Sequence, residues 1–101
     1  MNALRIGVVG TGPWGTNIER TLRTLPGCEV AFVAGGDFAA ALETHDVDAV
    51  AIATASPSHL AVARACMKRG LSVFIEKPLA TSLADGKHIA ALARRHDVSV
   101  F

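Results

Sequence analysis

A short apolar run that ends in three closely spaced glycines constrains the fold of this chain more than any other feature. Residues 4–9 are almost all apolar, and the glycines that follow, Gly10, Gly12 and Gly15, have the spacing G-x-G-x-x-G. The run is typical of a central strand that is buried on both faces, and a helical pattern follows at once. A strand that stops in such a turn directs a helix N-terminus at a phosphate, which is the form of a dinucleotide-binding turn.

Each glycine has a separate task in a turn of this kind. Gly10 permits the tight turn, Gly12 lets a pyrophosphate approach the backbone, and Gly15 lets the helix pack closely on the strand. Pro13 is compatible with the first helical turn, where its missing N–H costs nothing. The alternative is a glycine-rich turn that binds nothing, because the motif alone is weak evidence.

Strands and helices alternate along the rest of the chain. The predicted strands are residues 4–9, 29–34, 47–53, 71–75 and 98–101, and the predicted helices are one from Pro13 to Pro26-Gly27 and others over 38–42, 58–69 and 82–95. Asp37, Ser58 and Ser82 are the expected N-caps. The alternation predicts a single α/β domain over residues 1–101, a three-layer Rossmann-like parallel sheet of about five strands joined by right-handed crossovers.

Composition excludes several classes of function. Half of the 101 residues are apolar, and the formal net charge is +1, which gives no basic footprint for nucleic acid. No apolar run approaches the roughly 20 residues of a membrane span. Cys28 and Cys66 have no metal-ligand spacing, so the sequence predicts no metal site and two reduced thiols in a cytoplasmic protein.

Polar residues follow two of the predicted strands. Thr54, Ser56 and His59 come after the third strand, and Glu76-Lys77 comes directly after the fourth. Open α/β sheets bind ligands at the carboxyl ends of their strands, so both segments lie on the edge where a ligand is expected. Taken singly, each of these residues is more often a solvated loop residue.

Three motifs taken in order resemble the N-terminal domain of the glucose–fructose oxidoreductase and inositol dehydrogenase family (Gfo/Idh/MocA). They are the glycine turn, V-D-A-V-x-I-A-T-x-S-x-x-H and E-K-P. The resemblance covers essentially the whole chain and is most specific from Asp46 to Leu83. It implies a Rossmann fold that binds NAD or NADP.

The resemblance also implies roles for particular residues. The residues implied to form the phosphate loop are Gly10, Thr11, Gly12, Trp14 and Gly15. Thr54, Ser56 and His59 are implied to lie along the cofactor, and Glu76 and Lys77 near the nicotinamide. Lys77 is the implied catalytic residue, which helps to polarise or deprotonate the reacting hydroxyl. Pro78 is often a cis proline in this family, and Ala55 departs from a frequent proline.

Two larger departures concern whole segments. A dinucleotide fold usually has an acidic residue at the end of its second strand to bind the adenosine ribose, and Gly35 stands there instead. About one βα unit is missing after it, so the expected strand order is 2-1-4-5-6 without the outer strand 3. Asp37 is the alternative ribose ligand, although a capping role competes for its carboxylate.

The second departure is the family's C-terminal domain, which supplies the substrate pocket and has no counterpart in these 101 residues. Three hypotheses follow. The first is the nucleotide-binding domain of a sugar or polyol dehydrogenase, either truncated or completed by another chain. The second is a module that binds a dinucleotide or another phosphorylated ligand without turnover. The third is a non-catalytic protein that pairs with other chains through an exposed sheet edge. The retained motifs favour a dinucleotide-binding, oxidoreductase-like domain.

Overall fold

The computed structural model describes residues 3–101 and contains one parallel sheet. Its strands are β1 (Leu4–Val9), β2 (Cys28–Ala34), β3 (Ala49–Ile52) and β4 (Ser72–Ile75). Its helices are α1 (Pro13–Thr24), α2 (Phe38–Thr44), α3 (His59–Met67) and α4 (Leu83–His96), and a 3₁₀ turn (Ser56–Ser58) leads into α3.

The strand order in the sheet is β2-β1-β3-β4, and every pairing is parallel. Beyond β4, Val100 forms a parallel bridge to Val73, so the fifth strand is present as a single bridge. In the numbering of a complete Rossmann sheet this order is 2-1-4-5-6, which confirms the predicted fold class. Within the described part of the chain β2 pairs only with β1, so it is an edge strand.

The core lies mainly between the sheet and helices α2, α3 and α4. Alternate strand residues point to this face, among them Val50 and Ile52 of β3 and Val73 of β4, and they pack with Met67 and Ile89 from the helices. The opposite face is covered by α1, which contacts β1 and β2. Right-handed crossovers account for this division, because the connections after β2 run in the reverse direction across the sheet.

The edge strand β2 contains a local irregularity. Ile6 pairs with Val30 and Gly7 pairs with Phe32, so Ala31 is left between two pairings. The ring of Phe32 occupies the space that a side chain on Gly7 would need. A bulge of this kind twists an edge strand and makes it a poorer template for another chain.

The predicted caps have different outcomes. Ser82 accepts a hydrogen bond from the backbone N–H of Asp85 at 3.1 Å, which confirms it as the N-cap of α4. Capping by the side chains of Asp37 and Ser58 was a wrong prediction, because neither bonds to the first turn of its helix. The hydroxyl oxygen of Ser58 instead lies 2.6 Å from both Thr54 Oγ1 and the Ala55 carbonyl oxygen.

Both cysteines are free thiols, and Cys66 is fully buried in the core. Burial raises the pKa of the Cys66 thiol to about 12, and the nearby Arg69 opposes this shift only in part. Cys66 is therefore a neutral, unreactive thiol at physiological pH. No helix within residues 3–101 is long and apolar enough to cross a membrane.

Candidate functional site

The carboxyl ends of the four strands meet at one edge of the sheet, and backbone hydrogen bonds hold their loops side by side. The N–H of Gly10 donates to the carbonyl of Ala34 at 2.8 Å, and the N–H of Ala53 donates to the carbonyl of Val9 at 2.8 Å. The N–H of Glu76 donates to the last residue of β3 at 2.9 Å. The glycine turn therefore lies between the ends of β2 and β3.

The three glycines have different surroundings. Gly10 has a φ of +129°, and a Cβ there would lie 2.6 Å from the carbonyl oxygen of Ala53. A Cβ on Gly15 would collide with the carbonyl oxygen of Gly10, whereas a Cβ on Gly12 would meet nothing within 4 Å. Two glycines are thus needed for the turn itself, and Gly12 faces open space.

The start of α1 has several backbone N–H groups without partners in the described chain. These are the N–H groups of Thr11, Gly12, Trp14 and Gly15. No side chain caps α1, and no acidic residue lies in its first turn. Unpaired N–H groups and the roughly half positive charge of a helix N-terminus together suit an anion such as a phosphate.

The end of β2 also borders the glycine turn. An ideal Cβ on Gly35 would lie 3.6 Å from the methyl group of Thr11. The N–H of Gly35 donates to Asp37 Oδ1 at 3.0 Å, which turns the exposed Asp37 carboxylate back towards the end of the strand. The Asp37 carboxylate therefore lies beside Gly35, the position at which a dinucleotide fold usually has an acidic residue.

The loop after β3 is held by its own side chains. Thr54 is half-buried, and its hydroxyl accepts a hydrogen bond from Ser58 Oγ at 2.6 Å. Ser56 begins the 3₁₀ turn. His59 is 1% exposed, and both of its ring nitrogens face backbone carbonyls. That Thr54, Ser56 and His59 lie along the cofactor stays a prediction. The ring of His59 is turned inward, so the predicted contact would have to involve other atoms of this residue or a change in the position of the ring.

The loop after β4 carries the other predicted site residues. The Lys77–Pro78 peptide bond is cis, as the family resemblance led us to expect. Lys77 is exposed, and in the described chain its side chain forms neither a hydrogen bond nor an ion pair. Glu76 is half-buried and faces a groove that also contacts Trp14. The structure brings both residues to the same edge as the glycine turn.

The groove was not predicted from the sequence. It has a volume of about 450 Å³ and lies beside α1, on the face of β3 and β4 that no helix of residues 3–101 covers. Its margins include Trp14, Phe74 and Phe101, which are 63%, 47% and 74% exposed. The sequence signal that could have indicated this groove is Phe74. In β4 it alternates with Val73 and Ile75, which face the main core, so its large apolar side chain points to the opposite face of the sheet.

Residues 3–101 contain no group of three or more histidine, cysteine, aspartate and glutamate side chains that could hold a metal ion. The polar groups at the carboxyl ends of the strands are the N–H groups of α1, the hydroxyls of the loop after β3, two carboxylates (Asp37 and Glu76) and Lys77. These groups suit a phosphorylated, hydroxyl-rich ligand.

The parallel sheet, its strand order and the glycine turn define the class of protein, which is a Rossmann-type nucleotide-binding domain. Residues 35–101 match the oxidoreductase family GFO/IDH/MocA with its NAD-binding Rossmann fold. The chain belongs to this family.

Comparison with known proteins agrees with this assignment. Inositol 2-dehydrogenase 1 from Saccharopolyspora erythraea is 37% identical over 109 residues, which cover 87% of this chain and 32% of that protein. An oxidoreductase structure from Magnetospirillum magnetotacticum MS-1 superimposes on 99% of this chain and 38% of its own, with a TM-score of 0.91 and 29% identity. An oxidoreductase from Agrobacterium radiobacter in complex with NAD+, L-tartaric acid and magnesium has the same fold, with a TM-score of 0.91 and 22% identity over 98% of this chain and 34% of its own.

This chain spans about a third of the length of the relatives that it matches. The alignment with the first of them runs over 109 positions, more than the 101 residues of this chain, so some positions of that relative have no counterpart here. This is the result that a missing βα unit would give.

Proposed function

We propose that this chain is a dinucleotide-binding domain, formed by residues 1–101, of an oxidoreductase of the sugar and polyol dehydrogenase class. The observation that carries the proposal is the start of α1, where four N–H groups have no partner in residues 3–101 and a Cβ on Gly12 would meet no atom within 4 Å. A pyrophosphate in this space would accept the unpaired hydrogen bonds and meet the positive end of α1. NAD or NADP supplies such a pyrophosphate.

The nicotinamide end of the ligand would extend along the loops after β3 and β4. In this arrangement Lys77 would approach the hydroxyl of a bound substrate and hold or accept its proton. Turnover also requires groups that orient the substrate, and such positioning is a large part of catalysis. We therefore propose that these residues bind the cofactor and that a further domain or partner chain completes the active site. The expected cytoplasmic location is part of this proposal.

Fluorescence of Trp14 tests the binding directly. It is the only tryptophan, the chain has no tyrosine, and its indole is 63% exposed beside the glycine turn. Titration with NADH is expected to quench the indole and to excite the reduced nicotinamide by energy transfer, with saturation below about 1 mM, equivalent to roughly −4 kcal/mol. An unchanged spectrum up to several millimolar NADH and NADPH would contradict the proposal.

Asp37 provides a second expectation, which concerns the choice between the two cofactors. Its carboxylate lies at the end of β2, where a dinucleotide fold binds the adenosine ribose, and it would repel a 2′-phosphate. We propose that the chain prefers NAD. Asp37→Asn is expected to shift the ratio of NADH to NADPH affinity towards NADPH by about tenfold, or ~1.4 kcal/mol. Asp46→Asn is a matched control. Asp46 is exposed and lies before β3, at the amino ends of the strands and away from the proposed ligand. An unchanged ratio in Asp37→Asn would exclude this role.

A non-catalytic interaction protein is the second candidate function, and the uncovered groove favours it. Trp14, Phe74 and Phe101 expose apolar surface around this groove, and contiguous apolar patches often mark contacts with other chains. The same titration separates the two functions. Self-association without any response to NADH would support this candidate, whereas a monomer that binds NADH would exclude it.

A further inference from the structure

A buried histidine connects the loop after β3 with the loop after β4. Nδ1 of His59 lies 3.0 Å from the carbonyl oxygen of Pro78 and 3.2 Å from that of Leu79. Nε2 of the same ring lies 2.9 Å from the carbonyl oxygen of Thr54. One side chain at the first residue of α3 therefore spans the two loops that border the ligand edge.

The partners of this ring lie on both sides of it. All three are carbonyl oxygens, which accept hydrogen bonds and cannot donate them. Whichever ring nitrogen carries the proton, the buried imidazole lies within hydrogen-bond distance of both loops and fills the space between them.

The loop after β4 depends on this ring for its polar contacts. In the described chain, residues 77–81 donate no hydrogen bond, and they accept hydrogen bonds only from His59. Ala80 adds an apolar contact with the core, whereas Lys77 and Leu79 are exposed. The position of Lys77 is thus fixed on one side by the sheet, through Glu76, and on the other by the histidine.

No charged side chain competes for the ring in the described residues. Residues 53–58 contain no ionisable group, and Glu76 and Lys77 of the second loop do not bond to the imidazole. On α3, Arg64 lines a separate surface depression with lysine and arginine neighbours. On α4, Asp85 is half-buried at the first turn and forms no bond to the ring.

We propose that His59 is a positioning residue for Lys77, whose loop it holds against the loop after β3 through the contacts of its two ring nitrogens with backbone carbonyls. Its value for catalysis depends on the role proposed above for Lys77, but the connection itself is a property of the nucleotide-free chain. His59 then acts on Lys77 through the Pro78 and Leu79 carbonyls.

Nuclear magnetic resonance of the unmodified protein tests the contact between the ring and the two loops. Nuclear Overhauser contacts from the His59 ring protons to the loop after β3 and to Leu79 are expected. The signals are assigned by their loss in His59→Gln. A ring that contacts only one of the two loops would overturn the proposal. The measurement needs no cofactor, so a failure of NADH binding leaves its result unaffected.

A variant tests the connection itself. In His59→Ala the ¹⁵N order parameters of Leu79 and Ala80 are expected to fall from about 0.85 to below about 0.6, while those of β1 stay unchanged. Added imidazole is expected to restore them, and pyrazole is not, because its adjacent nitrogens cannot reach both loops. His88→Ala, an exposed change on α4, is the matched control and should leave the loop ordered.

Two outcomes of this experiment would overturn the proposal. Equal rescue by imidazole and pyrazole would mean that the ring only fills space. Loss of order in β1 together with the loop would mean that His59 stabilises the whole fold. If His59→Ala does not fold, the same order parameters in His59→Gln decide, since a flexible amide side chain does not fill the space of the ring between the loops and the loop should again become mobile.

Discussion

Gly12→Val is expected to abolish dinucleotide binding and to leave the fold intact. A Cβ on Gly12 meets no atom within 4 Å, and the backbone there is extended (φ −77°, ψ −171°), which valine adopts readily. The branched side chain would occupy the space above the unpaired N–H groups, where the pyrophosphate is proposed to lie. We expect the Kd for NADH to rise at least about 100-fold, or ~2.7 kcal/mol, in the Trp14 titration.

The size of the new side chain provides the control for this result. Gly12→Ala should weaken binding by a smaller factor, because its single methyl group leaves part of the space open. Both variants should keep the thermal midpoint within a few degrees, since surface substitutions without contacts usually change stability by less than about 0.5 kcal/mol. Normal NADH binding by Gly12→Val would show that the ligand does not approach this turn.

Gly15→Ala is expected to have the opposite result: its main effect is a loss of fold stability, and any effect on binding is a consequence of that loss. Alanine normally stabilises a helix relative to glycine by about 1 kcal/mol. At this position a Cβ collides with the carbonyl oxygen of Gly10, so α1 has to move away from the turn. Overpacking of this kind costs about 1–3 kcal/mol, and it acts on backbone atoms that cannot rotate away. Since backbone atoms collide, the cost lies at the upper end of this range, and subtracting the helix gain leaves a net loss of about 2 kcal/mol and a thermal midpoint lowered by roughly 10 °C.

The same substitution in another helix gives a matched comparison. Gly86 lies inside α4, and a Cβ there would be 4.0 Å from Leu79 Cδ2, an ordinary contact. Gly86→Ala is therefore expected to raise the thermal midpoint through helix propensity alone, by about 0.5–1 kcal/mol of stability. Chemical or thermal denaturation followed by circular dichroism measures both variants. If they shift in the same direction, the close approach of α1 to the glycine turn is not what makes Gly15 necessary.

Local patterns predicted the architecture well. The apolar runs at β1 and β4 and the glycine stop after α1 gave elements close to those observed, because each signal lies within a few neighbouring residues. The 47–53 strand was predicted too long, since only Ala49–Ile52 pairs with its neighbours. The sheet order followed from the family resemblance and from the handedness of the crossovers, and the structure confirms it.

The site was predicted less completely, because its details depend on contacts between distant segments. Nothing near His59 in the sequence shows that its ring turns inward to carbonyls 19 and 20 residues away. Asp37 was expected to cap α2, but its carboxylate accepts the Gly35 N–H, which restores an acidic group at the end of β2. The uncovered groove results from helices that are distributed unequally over the two faces, and a list of elements does not show this.

The strand order has a consequence for the synthesis of this chain. β1 is made before β3, yet the two strands pair, and the paired residues Ile6 and Ala49 lie 43 positions apart. The glycine turn is completed only when Ala53 has emerged, because the N–H of Ala53 bonds to Val9 and its carbonyl packs against Gly10. Long-range parallel pairings of this kind form slowly, since loop closure is unfavourable before the contacts can compensate for it. Of the four described strands, β1 is therefore the first to leave the ribosomal exit tunnel and among the last to complete its native pairing.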